Sequence, residues 1–469
     1  MYRLGLDYLE EWRTRPSRKP IVIRGARQVG KSFLVRAFAR ERFAHLLEVN
    51  FEKTPGVASL FVSKSPKTIL AQLEVRFNTP ATPGNTLLFL DEIQAAPEVM
   101  ATLRYFHEEM PELHVVCAGS LLEFVLEEHT FSMPVGRIEY LHLGPMTFEE
   151  FLIASNRERM RQWLCDYTVG TPVPEETHRE LMRRLRQYLA VGGLPEAVKV
   201  FAASESYREC AHVQQSILST YRDDFSKYAS KVKHRRVEKV FAGIPRLVGR
   251  KFMYSQIDRE ERSRDLSEAL RLLCLARVAH LVRHTHAGGL PLAAEADDRH
   301  FKALFLDVGL LCRSLGLGVA DIENPEDVLF VNQGALCEQF IGQHLAFSGP
   351  CYEEPALYCW MRQERNSNAE VDFVMPVGPD IVPVEVKAGT TGTLKSLHLF
   401  VREKDRDFAL RFNSDTPSLG QARTGLATGP QRPFRLLSLP LYMVGQSHRL
   451  CRMALARHGN ERRDEFQRL

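Results

Sequence analysis

Gly25-Ala26-Arg27-Gln28-Val29-Gly30-Lys31-Ser32 follows the apolar run IVI at 21–23 and precedes the helical pattern FLVRAFARER at 33–42. It satisfies the pattern GxxxxGK[ST], and its position between a strand and a helix distinguishes a phosphate-binding P-loop from a chance match. The glycines permit a tight loop whose backbone N–H groups point at phosphate oxygens, and the start of the helix adds partial positive charge. This stretch therefore predicts a nucleotide site in an α/β domain.

The P-loop also predicts which groups hold ATP and Mg²⁺, the two expected cofactors. We expect Lys31 to reach the β- and γ-phosphates and the Ser32 hydroxyl to ligate Mg²⁺. The expected nucleotide contacts run along the loop to the residue after it: Gly25, Ala26, Arg27, Gln28, Val29, Gly30, Lys31, Ser32 and Phe33. The alternative interpretation is a plain glycine turn between a strand and a helix.

Polar residues end two further apolar runs. Asp91 and Glu92 close the run LLFLDE at 87–92. Because ligands bind at the carboxyl ends of the strands in such sheets, we expect Asp91 to hold Mg²⁺ through water and Glu92 to orient and deprotonate the attacking water. Ser120 closes the run HVVCAGS at 114–120. It is either a γ-phosphate sensor or the N-cap of a helix in LLEFVLEE, which follows it.

The first 150 residues read as βαβ units, in which short apolar runs alternate with helical patterns. The runs are IVI at 21–23, HLLEVNF at 45–51, TLLFLDE at 86–92, HVVCAGS at 114–120 and EYLHLGP at 139–145. Runs this apolar are typical of strands that are covered on both faces, as in a parallel sheet.

Length and composition set the wider limits. A chain of 469 residues is too long for one core and indicates about two to four domains. The net charge of +4 does not by itself demand nucleic acid. Nine scattered cysteines without a CxxC indicate neither a disulfide framework nor a zinc site. Nothing in the sequence suggests a membrane span or a signal peptide, so a cytoplasmic protein without a membrane partner is expected.

Residues 231–251 form a basic segment with one acid, Glu238. Its basic residues are Lys231, Lys233, Arg235, Arg236, Lys239, Arg246, Arg250 and Lys251. A helical pattern and then the β-like RVAHLVRH at 277–284 follow, an order that suits a winged helix. The segment either contacts DNA phosphates or is a solvated basic face of a packing domain. The modest charge of the helix expected at 264–275 favours the second interpretation.

A constellation of acids and a lysine lies in the C-terminal part of the chain. Alternation in IVPVEVK places Glu385 and Lys387 on one strand face, and a hairpin turn at 378–380 brings Asp372 near Glu385. Glu338, in a helical pattern, is a candidate fourth group. This is the PD-(D/E)XK arrangement of nucleases, in which two carboxylates hold Mg²⁺ while the lysine orients or activates water. Charges planted in apolar strands need partners or a metal.

Several motifs together resemble the AAA-type ATPases of bacteria and archaea that carry a C-terminal domain of unknown function. They are IRGARQVGKS, LLFLDEIQ, AGS, PVGR at 134–137, LGPMTFEEF at 143–151, VGGLPEAV at 191–198, FKALFLDVGLL at 301–311, GALCEQFI at 334–341 and AEVDFV…VPVEVKAG at 369–389. The resemblance implies a P-loop sheet of order 5-1-4-3-2, a helical lid, a winged-helix-like segment and a nuclease-like terminal fold. It also implies a role for Arg137 as an arginine finger or as a phosphate sensor within the chain, while a surface arginine in a turn is the alternative.

The expected organisation is an α/β protein of several parts. Their expected bounds are 1–148 for the ATPase core, 149–228 for the lid, 229–295 for the winged-helix-like segment, 296–405 for the PD-(D/E)XK-like domain and 406–469 for a tail without an assigned structure. We expect an ATPase that drives or switches its terminal domain. An ATP-gated DNA-binding protein or nuclease in DNA processing or defence, and a signalling module that binds ATP without hydrolysing it, are the alternatives. DNA, a second copy of the chain and a protein partner all stay open as partners.

Overall fold

The computed structural model describes residues 1–120, 133–225, 231–316, 325–362, 369–389, 393–425 and 431–456, without the side chains of 231 and 325–333. The helix expected after Ser120 and the last part of the tail lie outside these residues. The chain divides into two compact units. The first comprises residues 1–146, 271–278 and 349–355, and the second comprises 147–270, 279–348 and 356–469.

A five-stranded parallel sheet forms the centre of the first unit. Its strands are β1 (Ile21–Arg24), β2 (His45–Asn50), β3 (Thr86–Asp91), β4 (His114–Ala118) and β5 (Glu139–His142). Their order is β5-β1-β4-β3-β2, which confirms the predicted order 5-1-4-3-2. Every residue of β3 and β4 is buried, as expected for strands covered on both faces.

Helices cover this sheet because each has an apolar stripe. They are α1 (Gly5–Thr14), α2 (Lys31–Arg42), α3 (Pro66–Phe77) and α4 (Leu103–Glu109). Helix α2 begins at the last two residues of the P-loop and buries Leu34, Val35 and Phe38. Each such side chain contributes roughly 1.5–3 kcal/mol when fully buried, so packing as well as the loop glycines positions the start of this helix.

The second unit begins with a mostly helical region, as the sequence predicts. Its helices are α5 (Phe148–Ala154), α6 (Glu158–Asp166), α7 (Glu175–Val191), α8 (Pro195–Ser204), α9 (Tyr207–Phe225), α10 (Lys231–Leu247), α11 (Tyr254–Ile257) and α12 (Ser263–Leu275), whose last residues belong to the first unit. A capping box formed by Thr147 and Glu150 fixes the start of α5, since each side chain accepts a hydrogen bond from the other's backbone N–H.

An eight-stranded mixed sheet completes the second unit. Its strands are β6 (Ala279–Thr285), β7 (Ala296–Phe305), β8 (Leu357–Met361), β9 (Glu370–Val377), β10 (Asp380–Val386), β11 (Phe408–Asn413), β12 (Ser418–Arg423) and β13 (Pro433–Pro440). Their order is β12-β13-β11-β10-β9-β8-β6-β7. The helices interspersed with these strands are α13 (Val308–Ser314), α14 (Pro325–Ala346) and α15 (Lys395–Glu403).

Three strands of this sheet come from the part of the tail that the sequence left unassigned. Strand β11 pairs in parallel with β10 and with β13, so the sheet continues beyond residue 405. Residues 447–456 are helical. In the described ranges, no helix combines the length and the hydrophobicity needed to cross a bilayer.

The motifs VGGLPE and FLDVGLL interlock inside the second unit. The buried carboxylate of Asp307 accepts hydrogen bonds from the backbone N–H groups of Gly193, at 2.7 Å, and of Leu310, at 3.0 Å. A Cβ atom on Gly192 would meet Asp307 Oδ1 at 2.1 Å, and one on Gly309 would meet the Val191 carbonyl oxygen at 2.5 Å. Close packing therefore explains the glycines at positions 192 and 309.

Candidate functional site

The P-loop lies at the carboxyl end of β1 and has the backbone conformation that its glycines permit. Gly30 has φ +91° and Gln28 has φ +65°, both in the left-handed region. At Gly25, with φ +157°, a Cβ atom would meet the Leu143 carbonyl oxygen at 2.2 Å. The segment after β5 thus packs directly on the loop, and only glycine fits at this position.

Lys31 and Ser32, at the start of α2, make two different kinds of contact. The Lys31 ammonium donates hydrogen bonds to the carbonyl oxygens of Gly25, at 2.9 Å, and of Ala26, at 2.8 Å, so it lies over its own loop. The Ser32 hydroxyl donates a hydrogen bond to Asp91 Oδ1 at 3.0 Å. The loop and the end of β3, both identified from sequence, therefore meet.

Asp91 is a carboxylate held in a buried position. Its side chain accepts a hydrogen bond from Asn50 Nδ2 at 3.2 Å, and an Arg36 nitrogen lies 3.7 Å from its Oδ2. Burial raises the pKa of Asp91, the Ser32 hydrogen bond opposes this, and the Glu92 charge adds to the increase. A divalent cation at this place would favour the charged carboxylate, so the oxygen donors of Ser32 and Asp91 suit Mg²⁺.

Glu92 is turned away from the strand by its backbone. Its φ of +53° is rare for a residue with a side chain and costs about 1–3 kcal/mol. Its Oε2 accepts a hydrogen bond from Gln94 Nε2 at 2.6 Å and a longer one from the Ser120 hydroxyl at 3.5 Å. Ser120 in turn accepts a hydrogen bond from Arg27 Nε at 3.2 Å. A polar chain thus joins the P-loop to the ends of β4 and β3.

Arg137 lies at the opposite edge of the same sheet. Glu139 pairs with Ile21, the first residue of β1, whereas the P-loop begins after Arg24, the last residue. Arg137 is therefore at least a strand length, about 13 Å, from the loop, and its guanidinium pairs with Glu108 at 2.8 Å. This position speaks against a sensor that acts on the chain's own nucleotide, while a surface arginine in a turn and an arginine finger that acts on another copy both stay predictions.

The nuclease-like residues come together in the second unit. Strands β9 and β10 form the predicted hairpin, in which Asp372 Oδ2 accepts a hydrogen bond from the backbone N–H of Val386 at 2.8 Å. Lys387 Nζ contacts Glu385 Oε1 at 2.6 Å. Glu338, from α14, is buried and contacts Lys302 Nζ at 2.7 Å. Lys302 is a buried lysine that the sequence pattern did not reveal.

Sequence reasoning missed several residues around the nucleotide site. Asn50 ends β2 beside Asp91, and Gln94 follows Glu92 after one intervening residue. A signal for Asn50 existed, because it ends an apolar run at the same sheet edge as Asp91. Arg3 is buried and donates hydrogen bonds to the carbonyl oxygens of Val29, at 2.6 Å, and of Gly144. No local pattern at Arg3 indicated that contact.

Part of the basic segment is neutralised within its own unit. Arg236 pairs with Glu261 and Asp265, both at 2.8 Å, and Lys239 pairs with Asp258 at 2.6 Å. These pairs favour the interpretation of a packing domain over that of a continuous phosphate-binding stripe. Lys233, Arg235, Arg246, Arg250 and Lys251 are exposed.

Comparison with known families divides the chain into three matched regions. Residues 17–152 match the AAA domain, residues 182–321 match a domain of unknown function (DUF8612), and residues 333–416 match another domain of unknown function (DUF4143). No curated protein matches the chain.

Solved structures that resemble the chain do so at low identity. The Aeropyrum pernix ORC2 protein, in complexes with ADPNP and ADP, is 16% identical with a TM-score of 0.34, over 69% of this chain and 92% of that chain. Caenorhabditis elegans PCH-2 is 10% identical with a TM-score of 0.26, and the match spans 44% of this chain and 64% of that one. A Drosophila ORC chain, solved bound to DNA, is 15% identical with a TM-score of 0.24, over 69% of this chain and 84% of that one.

The family match and the geometry agree in the first unit. The AAA domain match covers the P-loop, the end of β3 with Asp91 and Glu92, and all five strands of the parallel sheet. Within that range the loop glycines, Ser32 and Asp91 meet at one sheet edge. Residues 17–152 are thus similar to the ATP-binding domain of AAA-type ATPases.

Proposed function

We propose that this chain binds ATP with Mg²⁺ in its first unit and hydrolyses the γ-phosphate. The observation that carries the proposal is the 3.0 Å hydrogen bond between Ser32 and Asp91, which joins the P-loop to the end of β3. A glycine turn without a nucleotide role gives no reason for a buried carboxylate to face the loop. The AAA domain match over residues 17–152 supports the same conclusion.

Each residue of the site has a distinct role in this proposal. Ser32 and Asp91 hold Mg²⁺, which supplies positive charge next to the β- and γ-phosphates. Lys31 exchanges its contacts with the carbonyl oxygens of Gly25 and Ala26 for phosphate oxygens, since an ammonium forms stronger hydrogen bonds with charged acceptors. Backbone N–H groups from Gly25 to Phe33 bind the remaining phosphate oxygens.

Glu92 is the proposed general base. The hydrogen bonds from Gln94 and Ser120 orient its carboxylate, so it can accept a proton from a water aligned with the γ-phosphate. Ser120 lies within reach of both Arg27 and Glu92, which makes it a suitable sensor of that phosphate. Arg137 is proposed to act on the pocket of another copy, because its own P-loop lies at the other edge of the sheet.

Hydrolysis is proposed to drive or switch the terminal region of the chain. The bounds predicted for the lid, the winged-helix-like segment and the nuclease-like domain stay predictions. The order α10, α11, α12 and then the hairpin β6–β7 supports a winged helix. The Phe252 N–H donates a hydrogen bond of 2.9 Å to the Phe301 carbonyl oxygen, so the segment before α11 contacts β7. A third strand of the wing would make the same kind of backbone contact. DNA binding by this segment stays a prediction.

The test is ATP hydrolysis by the full chain and by two variants. Lys31→Ala should lose ATP binding, and Glu92→Gln should keep binding while its hydrolysis rate falls at least about 100-fold. Lys67→Ala and Glu98→Gln, which change exposed residues of the same unit, are the matched controls and should keep the wild-type rate. Hydrolysis at the wild-type rate in both site variants would refute the proposal.

The same assay separates the alternatives. Tight ATP binding without turnover in the wild type would favour a module that uses ATP only as a conformational ligand. An ATP-gated nuclease stays a prediction, and incubation of plasmid and single-stranded DNA with the wild type and with Lys387→Ala tests it. Support for it is that Asp372, Glu385 and Lys387 lie on one hairpin and its continuation. The ion pairs of Lys302 speak against it.

A further inference from the structure

A completely buried lysine lies among the carboxylates of the second unit. Lys302, on β7, has no exposed surface, and its Nζ contacts Glu338 Oε1 at 2.7 Å and Asp372 Oδ1 at 3.3 Å. It also forms an ion pair with Glu370. These four residues, here called the Lys302 cluster, come from β7, α14 and β9.

The three acids of the Lys302 cluster are also those whose arrangement would suit a metal ion. One oxygen from each of Glu338, Glu370 and Asp372 lies within 4.8 Å of the others. The Lys302 ammonium bonds to all three residues, so it already stands where their carboxylates converge. A divalent ion would have to bind the same oxygens next to a buried positive charge, and the two cations would repel each other strongly.

Two further carboxylate oxygens near the cluster have partners within the chain. Asp372 Oδ2 accepts the hydrogen bond from the Val386 N–H at 2.8 Å, and Glu385 Oε1 pairs with Lys387 at 2.6 Å. Among the described residues, Glu385 Oε2 has no hydrogen-bond partner and is buried. Burial raises the pKa of both Glu338 and Glu385. Protonation of these acids can therefore neutralise negative charge that Lys302 and Lys387 do not balance.

Lys302 keeps its charge in this environment. Burial lowers the pKa of a lysine, but the carboxylates of Glu338, Asp372 and Glu370 outweigh that effect and raise the pKa of Lys302. An ammonium has three N–H donors, and here each of three carboxylates offers an acceptor. The donor set of the cluster therefore fits Lys302 better than it fits Mg²⁺.

We propose that the Lys302 ammonium is the resident cation of this cluster, and that it excludes the divalent metal on which PD-(D/E)XK cleavage depends. The cluster then joins β7, α14 and β9 by buried ion pairs, and the second unit does not cut phosphodiesters by metal-assisted chemistry. This inference does not rest on ATP hydrolysis, because every residue of the Lys302 cluster lies in the second unit.

The first experiment measures Mn²⁺ binding by electron paramagnetic resonance, with the nucleotide-free full chain and with Asp372→Asn. Mn²⁺ favours oxygen ligands as Mg²⁺ does, so it reports on a carboxylate site. We expect both proteins to bind the same number of ions with the same affinity. A site in the wild type that Asp372→Asn abolishes, or weakens at least about 10-fold as expected for the loss of one ligand or its support, would overturn the proposal.

The second experiment removes the ammonium. Lys302→Met and Lys302→Gln, if folded by circular dichroism, should each gain one Mn²⁺ site, and adding Asp372→Asn should remove it. Mn²⁺ should also raise the thermal midpoint of these variants but not that of the wild type or of Lys395→Met, which changes an exposed lysine. A folded Lys302 variant that gains no site would contradict the cation role. If neither variant folds, the comparison of the wild type with Asp372→Asn decides alone.

Discussion

The Ser32 hydroxyl donates a hydrogen bond of 3.0 Å to Oδ1 of Asp91. The two residues are 59 positions apart in sequence, and they meet because β1 and β3 both flank β4 with parallel pairing. Parallel strands end at one edge of the sheet, so the loop after β1 and the acids after β3 share that edge. A metal held by both oxygens would replace this hydrogen bond, because the hydroxyl and the carboxylate would then face the ion.

Ser32→Ala should raise the Mg²⁺ concentration that ATP hydrolysis requires without unfolding the first unit. Because one ligand is lost, we expect the Mg²⁺ concentration for half-maximal rate to rise about 10- to 100-fold. Steady-state rates across a Mg²⁺ titration at saturating ATP measure this. Ser59→Ala, which changes an exposed serine bonded only to the Gly56 carbonyl among its described contacts, is the control. An unchanged Mg²⁺ requirement in Ser32→Ala would remove this residue from the metal site.

Arg137→Ala should lower the hydrolysis rate only through the loss of a contact between copies. An arginine that stabilises transition-state charge contributes a factor of about 1,000 or more, so a fall of at least about 100-fold is expected. Mixing Arg137→Ala chains with Lys31→Ala chains should restore part of the rate, since the first supplies an intact P-loop and the second an intact Arg137. The rate of each mixture is compared with the sum of the separate rates.

The control for that experiment is Arg104→Ala, because Arg104 is also exposed and pairs with the same Glu108, at 3.2 Å. It should leave the rate unchanged. A wild-type rate in Arg137→Ala would show that Arg137 is not an arginine finger. If the rate falls and mixing does not restore any of it, an action between copies is contradicted.

The strands of the first unit were predictable because each carries its own local signal. Apolar runs, glycines and strand-ending acids appear within a few residues of one another, and β1 to β5 form where those signals lie. The hairpin that joins Asp372 to Glu385 was predictable for the same reason. Such features depend on residues close together in sequence, and a sequence pattern can therefore predict them.

Contacts between distant segments were not predictable in this way. Lys302 lies on β7, an edge strand of its sheet. Its partners Glu338 and Glu370 follow 36 and 68 residues later in the sequence. Likewise, the Arg3 guanidinium donates a hydrogen bond to the carbonyl oxygen of Val29, which lies 26 residues later in the sequence. Burial of a charge is decided by tertiary packing, and that information is not carried by periodicity.

Gly192→Ala should destabilise the second unit because no space exists for its methyl group. The new Cβ would meet Asp307 Oδ1 at 2.1 Å, and the φ of +78° is unfavourable for a residue with a side chain. We expect a loss of about 2 kcal/mol or more in the free energy of unfolding, through displacement of the buried Asp307 hydrogen bonds. Gly420→Ala, where nothing lies within 4 Å of the new Cβ, should cost less than about 1 kcal/mol. Urea unfolding followed by circular dichroism measures both, and equal losses would argue against the Gly192–Asp307 contact.

His344 should make the second unit less stable in acid. It is buried, its Nε2 accepts a hydrogen bond from the Phe148 N–H at 2.8 Å, and its Nδ1 donates one to the Phe340 carbonyl at 2.8 Å. This pairing requires the neutral ring, and burial lowers the pKa of His344 from 6.5 to about 4. Since the unfolded chain binds the proton more tightly, the contribution is fully present above pH 6.5 and is lost as the pH falls toward 4.

The difference between these pKa values corresponds to about 3 kcal/mol of unfolding free energy at 1.36 kcal/mol per unit. His344→Gln keeps a side-chain acceptor and cannot titrate, so its stability should fall by about 3 kcal/mol less than that of the wild type between pH 6.5 and pH 4. Urea unfolding at several pH values measures the difference, with His45→Gln, a change at an exposed histidine, as the control. Parallel curves for the wild type and His344→Gln would show that the ring takes up no proton on unfolding, and the buried neutral imidazole would then be the wrong description of this contact.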